Sequence, residues 1–275
     1  RVTNISPSLS QAGIKHNLET LKNVATATSE AKRLIREFRP DAAVGTGGYV
    51  CYPVLKAAAQ LGVPTAVHES NAVPGLTTKM LEGTVDTVMV GFEESRQNYR
   101  HPERVTVTGT PVRLDFLDMD KAQAKRELGI PEGRPLVASV WGSLGAAHMN
   151  EIMTDFIVRA CAKPFFSLVH SAGKGGYRHM CDQLERERPE YRECGMDVRD
   201  YIYDMPRVMA AADLVLCRAG ASTLAELTAM GKPAVLIPSP NVTNNHQERN
   251  ARVLESAGGA QVLLEGEFTA DSLLG

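Results

Sequence analysis

At 275 residues the chain exceeds a typical single domain, and its 43% hydrophobic and 23% charged content describes an ordinary globular protein of about two domains. A formal net charge of -2 lacks the basic excess that a nucleic-acid backbone demands, which argues against such a partner. No apolar run is long enough to span a bilayer, and the first residues carry no signal-peptide pattern.

The chain opens on the loop-like stretch "RVTNISPSLSQAG", and a basic helix is predicted over about residues 16–39. Short apolar runs then predict strands at 41–44, 65–68, 87–90 and 105–108, and later at 136–140, 166–169, 214–217 and 234–237. Amphipathic stretches at 54–61, 149–160, 208–212 and 247–257 alternate with them. Such alternation reads as α/β with parallel sheets. A polar, turn-rich segment at 114–132, with a short surface helix at 121–128, predicts a linker between two Rossmann-like halves, 1–117 and 118–275. A doubly wound domain normally opens with a strand and a glycine-rich turn. The first half is therefore expected to lack its opening βαβ unit, and "TADSLLG" reads as the start of a helix.

The 5 cysteines are odd in number and without C-x-x-C spacing, which favours a reducing, cytoplasmic compartment. The 7 histidines form no H-E-x-x-H or His/Cys cluster, so no dedicated metal site is expected.

Small-residue turns follow several predicted strands. In "VGTGGYVCYP", Gly45, Gly47 and Gly48 would let backbone amides approach a ligand; a plain tight turn is the alternative. "HESNAVPGLTTK" places Asn71 and Thr77 around a Pro-Gly turn, where Asn71 is equally a turn residue or a helix cap. "TGTPVR" ends on Arg113, whose guanidinium could clamp a diphosphate in a cleft between the halves or simply be solvated. In "VWGSLGAAHMNE", Ser143 can cap the next helix or offer its hydroxyl to phosphate. "RAGASTLAE" feeds a helix through small residues whose free N–H groups suit a diphosphate. Glu226, read as lying in that helix's first turn, can accept two hydrogen bonds from ribose hydroxyls or complement the helix dipole. "GKPAVLIPSPNVTNNHQERNA" adds a polar loop with Asn245, His246 and Gln247. Together these loops suit a cleft that grips a sugar nucleotide.

The stretches "GTGGYVCYPVLKAAAQLGVPTAVHESNAVPGLTTK", "GTPVR", "WGSLGAAHMN", "CRAGASTLAELTAMGKPAVLIPSP" and "NNHQERNARVLESAGGA" resemble, in this order, the MurG family of GT-B glycosyltransferases. The resemblance implies a fold of two Rossmann-like domains facing a cleft. It implies transfer of GlcNAc from UDP-GlcNAc onto the undecaprenyl-linked lipid I, giving lipid II for peptidoglycan, by inverting displacement at the anomeric carbon. UDP-GlcNAc is then a substrate, and no cofactor or metal is implied. By position, donor contacts are implied for Asn71, Arg113, Ser143, Ile202, Ala221, Ser222, Thr223, Leu224, Ala225, Glu226 and Gln247, with Ile202 against the uracil. Gly47, Gly48 and Tyr49 would face the acceptor's diphosphate.

The chain departs from the family in several places. The N-terminal glycine-rich loop and its histidine are absent, so no catalytic base is named; His68 and Glu69 lie in a matching block. The family's "GGS" is Trp141-Gly142-Ser143, the following Gln is Leu144, and a usual Arg is Ala147. The resemblance also implies a peripheral place on the inner face of the cytoplasmic membrane. Leu18, Leu21, Val24, Lys32, Arg33 and Arg36 would contribute, unless that helix simply packs its apolar stripe inward. The alternatives are a non-catalytic UDP-sugar-binding fragment or subunit, or another GT-B enzyme such as a glycolipid glycosyltransferase or a UDP-GlcNAc epimerase.

Overall fold

The structure, a computed structural model, describes residues 11–142 and 147–274. The chain divides into two compact units, Arg1–Gly109 and Thr110–Gly275. In the first unit, α1 (Gln11–Phe38) is followed by β1 (Ala43–Gly45), α2 (Cys51–Gln60), β2 (Thr65–Glu69), α3 (Leu76–Leu81), β3 (Thr87–Val90) and β4 (Val105–Val107). The strands form one parallel sheet in the order β1-β2-β3-β4. Among the described residues no strand precedes α1.

Local chemistry explains these boundaries. α1 stops where Arg39 turns left-handed at φ 53° just before Pro40, which cannot continue a helix. It runs against α2, with Thr28 and Ala31 buried. The turn from β1 into α2 needs its glycines: a Cβ at Gly45 would come within 2.8 Å of the Leu55 side chain, while Gly47 and Gly48 take φ of 84° and 78°. Val67, Val88, Val90, Leu55 and Leu81 make the core of this unit.

The second unit runs α4 (Lys121–Glu127), β5 (Leu136–Val140), α5 (Ala147–Ala160), β6 (Ser167–Ser171), α6 (Tyr177–Glu187) and β7 (Met196–Arg199). It continues through α7 (Met205–Ala211), β8 (Leu214–Cys217), α8 (Ala221–Ala229), β9 (Ala234–Leu236), α9 (His246–Ser256), β10 (Ala260–Val262) and α10 (Ala270–Leu274). Its parallel sheet has the order β10-β9-β8-β5-β6-β7. The chain therefore builds outward from β5 to β7, returns, and builds the other way from β8. The reversal lies between the neighbouring strands β5 and β8, and such a switch point is where open α/β sheets bind ligands, beyond the carboxyl ends of the strands.

The segment 114–132 is not a free linker. Asp120 caps α4 by accepting the Gln123 N–H at 2.8 Å. Lys121 and Lys125 then each reach Asp213 at 2.6 Å, and the same carboxylate accepts the Leu136 N–H at 2.7 Å. Burial raises the Asp213 pKa, but the two lysines and that N–H outweigh it and hold the carboxyl well below the usual range. Phe116 is buried, and the short turn Leu114–Phe116 packs on α7. Where residue 117 was the expected boundary, the structural division therefore falls after Gly109. β7 and β10 are strands that no apolar run announces. β6 extends beyond its expected end because His170 and Ser171 are polar yet buried.

Candidate functional site

At the switch point of the second unit, β8 ends in Arg218-Ala219-Gly220 and α8 begins at Ala221. Gly220, at ψ 136°, makes no side-chain cap. The first backbone donor of this turn with a partner is Leu224, which reaches the Gly220 carbonyl at 3.0 Å. Among the described residues, the Ala221, Ser222 and Thr223 N–H groups thus have no partner, and they lie at the positive end of the helix dipole. Leu224 is buried and serves packing.

Glu226 corrects the sequence reading: α8 has no acidic residue in its first turn, and the carboxylate lies one turn further along. Capping the dipole is therefore not its role. The half-buried carboxyl makes no hydrogen bond or salt bridge with a described residue. Burial pushes its pKa up, the nearby Arg113 lowers it and Asp115 raises it. Below it, burial and the Glu226 charge push the Cys217 thiol up to about 12. Arg113 is well exposed, 3.3 Å from Asp115 and 5.3 Å from the centroid of the buried Phe116 ring. Glu226 and Arg113, far apart in sequence, thus come within electrostatic reach of each other.

Other candidates fall into place differently. The Ile202 side chain is 1% exposed and offers no surface to a base; its backbone N–H has no partner among the described residues. Gln247, at the start of α9, accepts the Ser239 N–H at 2.9 Å and so holds the loop leaving β9. Asn244 and Asn245 make the turn into α9 at φ of 57° and 49°, a conformation asparagine tolerates. Ser143 lies outside the described residues. Among those residues, no group of three or more His, Cys, Asp or Glu is placed to hold a metal ion.

In the first unit, Glu69 organises the loop after β2. Its carboxylate accepts the Asn71 N–H and Nδ2, both at 3.0 Å, the Gly75 N–H at 2.8 Å and the Thr78 hydroxyl at 2.9 Å. The Asn71 Nδ2 is thereby committed to shaping the loop. His68 is engaged at both nitrogens, by the Gly109 carbonyl at 2.9 Å and by the Ser70 hydroxyl at 3.3 Å. Neither residue of the pair is a disengaged base. Gly47 and Gly48 keep their left-handed turn, and Tyr49 is 53% exposed beside it.

Several groups escaped the sequence reading. Trp141, following β5, donates its indole N–H to Ser139 Oγ at 2.8 Å. Ser139 bonds His170 Nδ1 at 2.9 Å, His170 Nε2 bonds Asn150 Oδ1 at 3.2 Å, and Asn150 Nδ2 donates to the Ala172 carbonyl at 2.8 Å. Burial lowers the His170 pKa to about 3, so the ring is neutral. A Cβ on Gly176 would lie 2.2 Å from Asn150 Nδ2, so that residue has to be glycine. Arg218 is a further one: an arginine closing the apolar run "LVLC" was the signal for it.

The two domains match glycosyltransferase families: residues 3–90 match the glycosyltransferase family 28 N-terminal domain and residues 137–274 its C-terminal domain. These domain matches, on two parallel-sheet units, define a glycosyltransferase of the GT-B class. A UDP-N-acetylglucosamine--N-acetylmuramyl-(pentapeptide) pyrophosphoryl-undecaprenol N-acetylglucosamine transferase of Acetivibrio thermocellus is 42% identical over 93% of this chain and 68% of its own length. The enzyme of that name from Thermoanaerobacter sp. strain X514 is 44% identical over 94% of this chain and 71% of its own. Crystalline MurG of Acinetobacter baumannii superposes with a TM-score of 0.70 at 26% identity, over 91% of this chain and 67% of that one. The chain belongs to this MurG family. The Neisseria meningitidis UDP-GlcNAc 2-epimerase, bound to UDP-GlcNAc, shares the fold at 15% identity, with a TM-score of 0.61 over 98% of this chain and 73% of its own.

Proposed function

We propose that the chain binds UDP-GlcNAc at the switch point of its second unit and transfers GlcNAc to lipid I, yielding lipid II. The observation that carries the donor assignment is Glu226. It is a half-buried carboxylate without a bonded partner among the described residues, one turn inside a helix whose first N–H groups also lack one among them. A polar constellation that pays desolvation without an internal partner is built for a ligand with matching groups. Ribose hydroxyls donate to Glu226, the α8 N–H groups and Arg113 meet the diphosphate, and Ile202 is assigned to the base by family resemblance alone. Asn71, Ser143 and Gln247 are assigned to the donor by family resemblance. Gln247 acts at least by shaping the loop after β9.

In the transfer, the acceptor hydroxyl forms the new bond to the anomeric carbon as the bond to the UDP oxygen breaks, with inversion, and the hydroxyl's proton passes to solvent water. The developing diphosphate charge is taken by Arg113 and the α8 dipole. The reaction needs no cofactor in this proposal, and chelation with EDTA is expected to leave UDP affinity unchanged. Gly47, Gly48 and Tyr49 are assigned to the acceptor's diphosphate; no residue is assigned as the base. We also place the chain peripherally on the inner face of the cytoplasmic membrane, in cell-wall biogenesis and hence in cell shape and division. The exposure of Leu34 (51%) and Phe38 (81%) on α1 supports this. No described helix is long and apolar enough to cross a membrane.

Calorimetric titration with UDP-GlcNAc and with ADP-glucose tests the donor site: selective binding of the uridine nucleotide is expected, and equal or absent binding overturns it. Incubation of UDP-GlcNAc with and without lipid I separates transfer from epimerisation. Turnover without lipid would replace the transferase reading by the epimerase one.

A further inference from the structure

Trp141 is the only tryptophan in the chain. Its ring is 3% exposed and packs on Phe268 at 5.3 Å between centroids, tilted by 58°. The Arg218 guanidinium lies 5.7 Å from the indole centroid. That guanidinium in turn reaches the Ile237 and Pro238 carbonyls at 3.1 and 3.3 Å and the Glu265 carboxylate at 2.6 Å. Trp141 follows β5, Arg218 follows β8 and Ile237 follows β9, three neighbouring strands in the sheet. The contacts therefore tie together the carboxyl ends of the strands that bracket the switch point.

We propose that Trp141 is a positioning residue of the nucleotide site. It fixes Arg218, and through it both the turn leading into α8 and the backbone leaving β9. The indole N–H bond to Ser139 sets the ring's orientation, and the ring face holds the cation. Without that face the guanidinium is held only by its edge contacts, and the unpaired N–H groups of α8 lose their fixed aim. Trp141 touches no ligand in this role. This inference rests on the nucleotide assignment above.

The experiment begins with the intact wild-type chain. UDP binding is measured by calorimetry and by the fluorescence of the single tryptophan, which is expected to change on titration. Absence of UDP binding by wild type overturns the nucleotide reading and this inference with it. Affinity and melting temperature are then compared for Trp141→Leu, Trp141→Phe and Phe268→Leu. Trp141→Leu removes the face under Arg218 and is expected to weaken UDP about tenfold, while Trp141→Phe, which keeps an aromatic face, loses about threefold. Phe268→Leu loosens the aromatic packing of the same ring without touching Arg218's contacts with Glu265 and the Ile237 and Pro238 carbonyls; it is expected to lower the melting temperature but leave UDP affinity within about twofold. Wild-type affinity in both Trp141 variants overturns the inference. So does a loss in Phe268→Leu equal to that in Trp141→Leu, because core stability alone would then account for it.

Discussion

Replacing Glu226 by alanine separates a ligand-binding carboxylate from a structural one. In the free protein this group has no hydrogen bond or salt bridge to a described residue to lose, and burial already raises its pKa. Folding stability is therefore expected to stay level or rise slightly on truncation. Binding behaves oppositely. Two ribose hydroxyls donating to one charged acceptor contribute about 2–3 kcal/mol together, so Glu226→Ala is expected to weaken UDP by roughly 30- to 150-fold. Glu226→Gln, which keeps an acceptor oxygen but loses the charge, falls between. Affinity for UDP is also expected to decline on acidification, at a higher pH than binding to an ordinary glutamate would, since burial raises the pKa and the acceptor is protonated earlier. Calorimetry with UDP and 2′-deoxy-UDP gives the decisive comparison. Wild type should prefer the ribonucleotide by several-fold and Glu226→Ala should not discriminate. Discrimination that survives the mutation refutes the ribose assignment, whatever happens to the absolute affinity.

Other expectations follow from the same geometry. Arg113→Ala is expected to lower kcat with lipid I more than it raises KM for the donor, since the leaving group's charge grows in the transition state; a pure KM effect means uniform binding. His170 has a folded pKa of about 3 against an unfolded value near 6.5, so only the unfolded chain takes up this proton in between. Its contribution is whole above about pH 6.5 and is lost on acidification at about 1.4 kcal/mol per pH unit, measurable by urea unfolding at about pH 7.5 and 5.5. A His170→Asn variant with the same pH dependence contradicts this. Asp213→Asn leaves Lys121 and Lys125 without a counter-charge, and since the pair sits at a partly exposed edge the cost is roughly 1–2 kcal/mol, read as a lowered thermal midpoint.

Much of the fold could be read from local pattern because the buried strands are continuous apolar runs: "LVLC" and "TVMV" have little other use. β7 could not, since "MDVR" at the sheet edge alternates buried and exposed side chains. β10, three residues long on the opposite edge, carries too little pattern. The glycine turns and the small-residue entry to α8 were legible as turns, because glycines and small side chains after a strand leave backbone N–H groups uncovered. The strand order was not. Nothing local tells that β8 returns to pair with β5, and that pairing is what sets Trp141 beside Arg218. The register of α8 was also misjudged by a turn, since without a side-chain cap nothing marks the residue at which it begins. Ile202, expected to face the base, keeps its side chain inside; an apolar residue between exposed tyrosines reads equally well as a contact or as an anchor.

The row of bonds from Trp141 to Ala172 has a direction. An indole nitrogen only donates and a peptide carbonyl only accepts, so both ends of the row are fixed. With the ends fixed, the Ser139 hydroxyl must point to His170, the ring must carry its proton on Nε2, and the Asn150 amide has one orientation. The row has a single arrangement of protons, as a strip of ice would between two fixed faces. It therefore cannot relay a proton, because each passage would need a return rotation that strands a buried donor. Serine, histidine and asparagine, so often read as catalytic, here form a ruler laid across two strands and a helix.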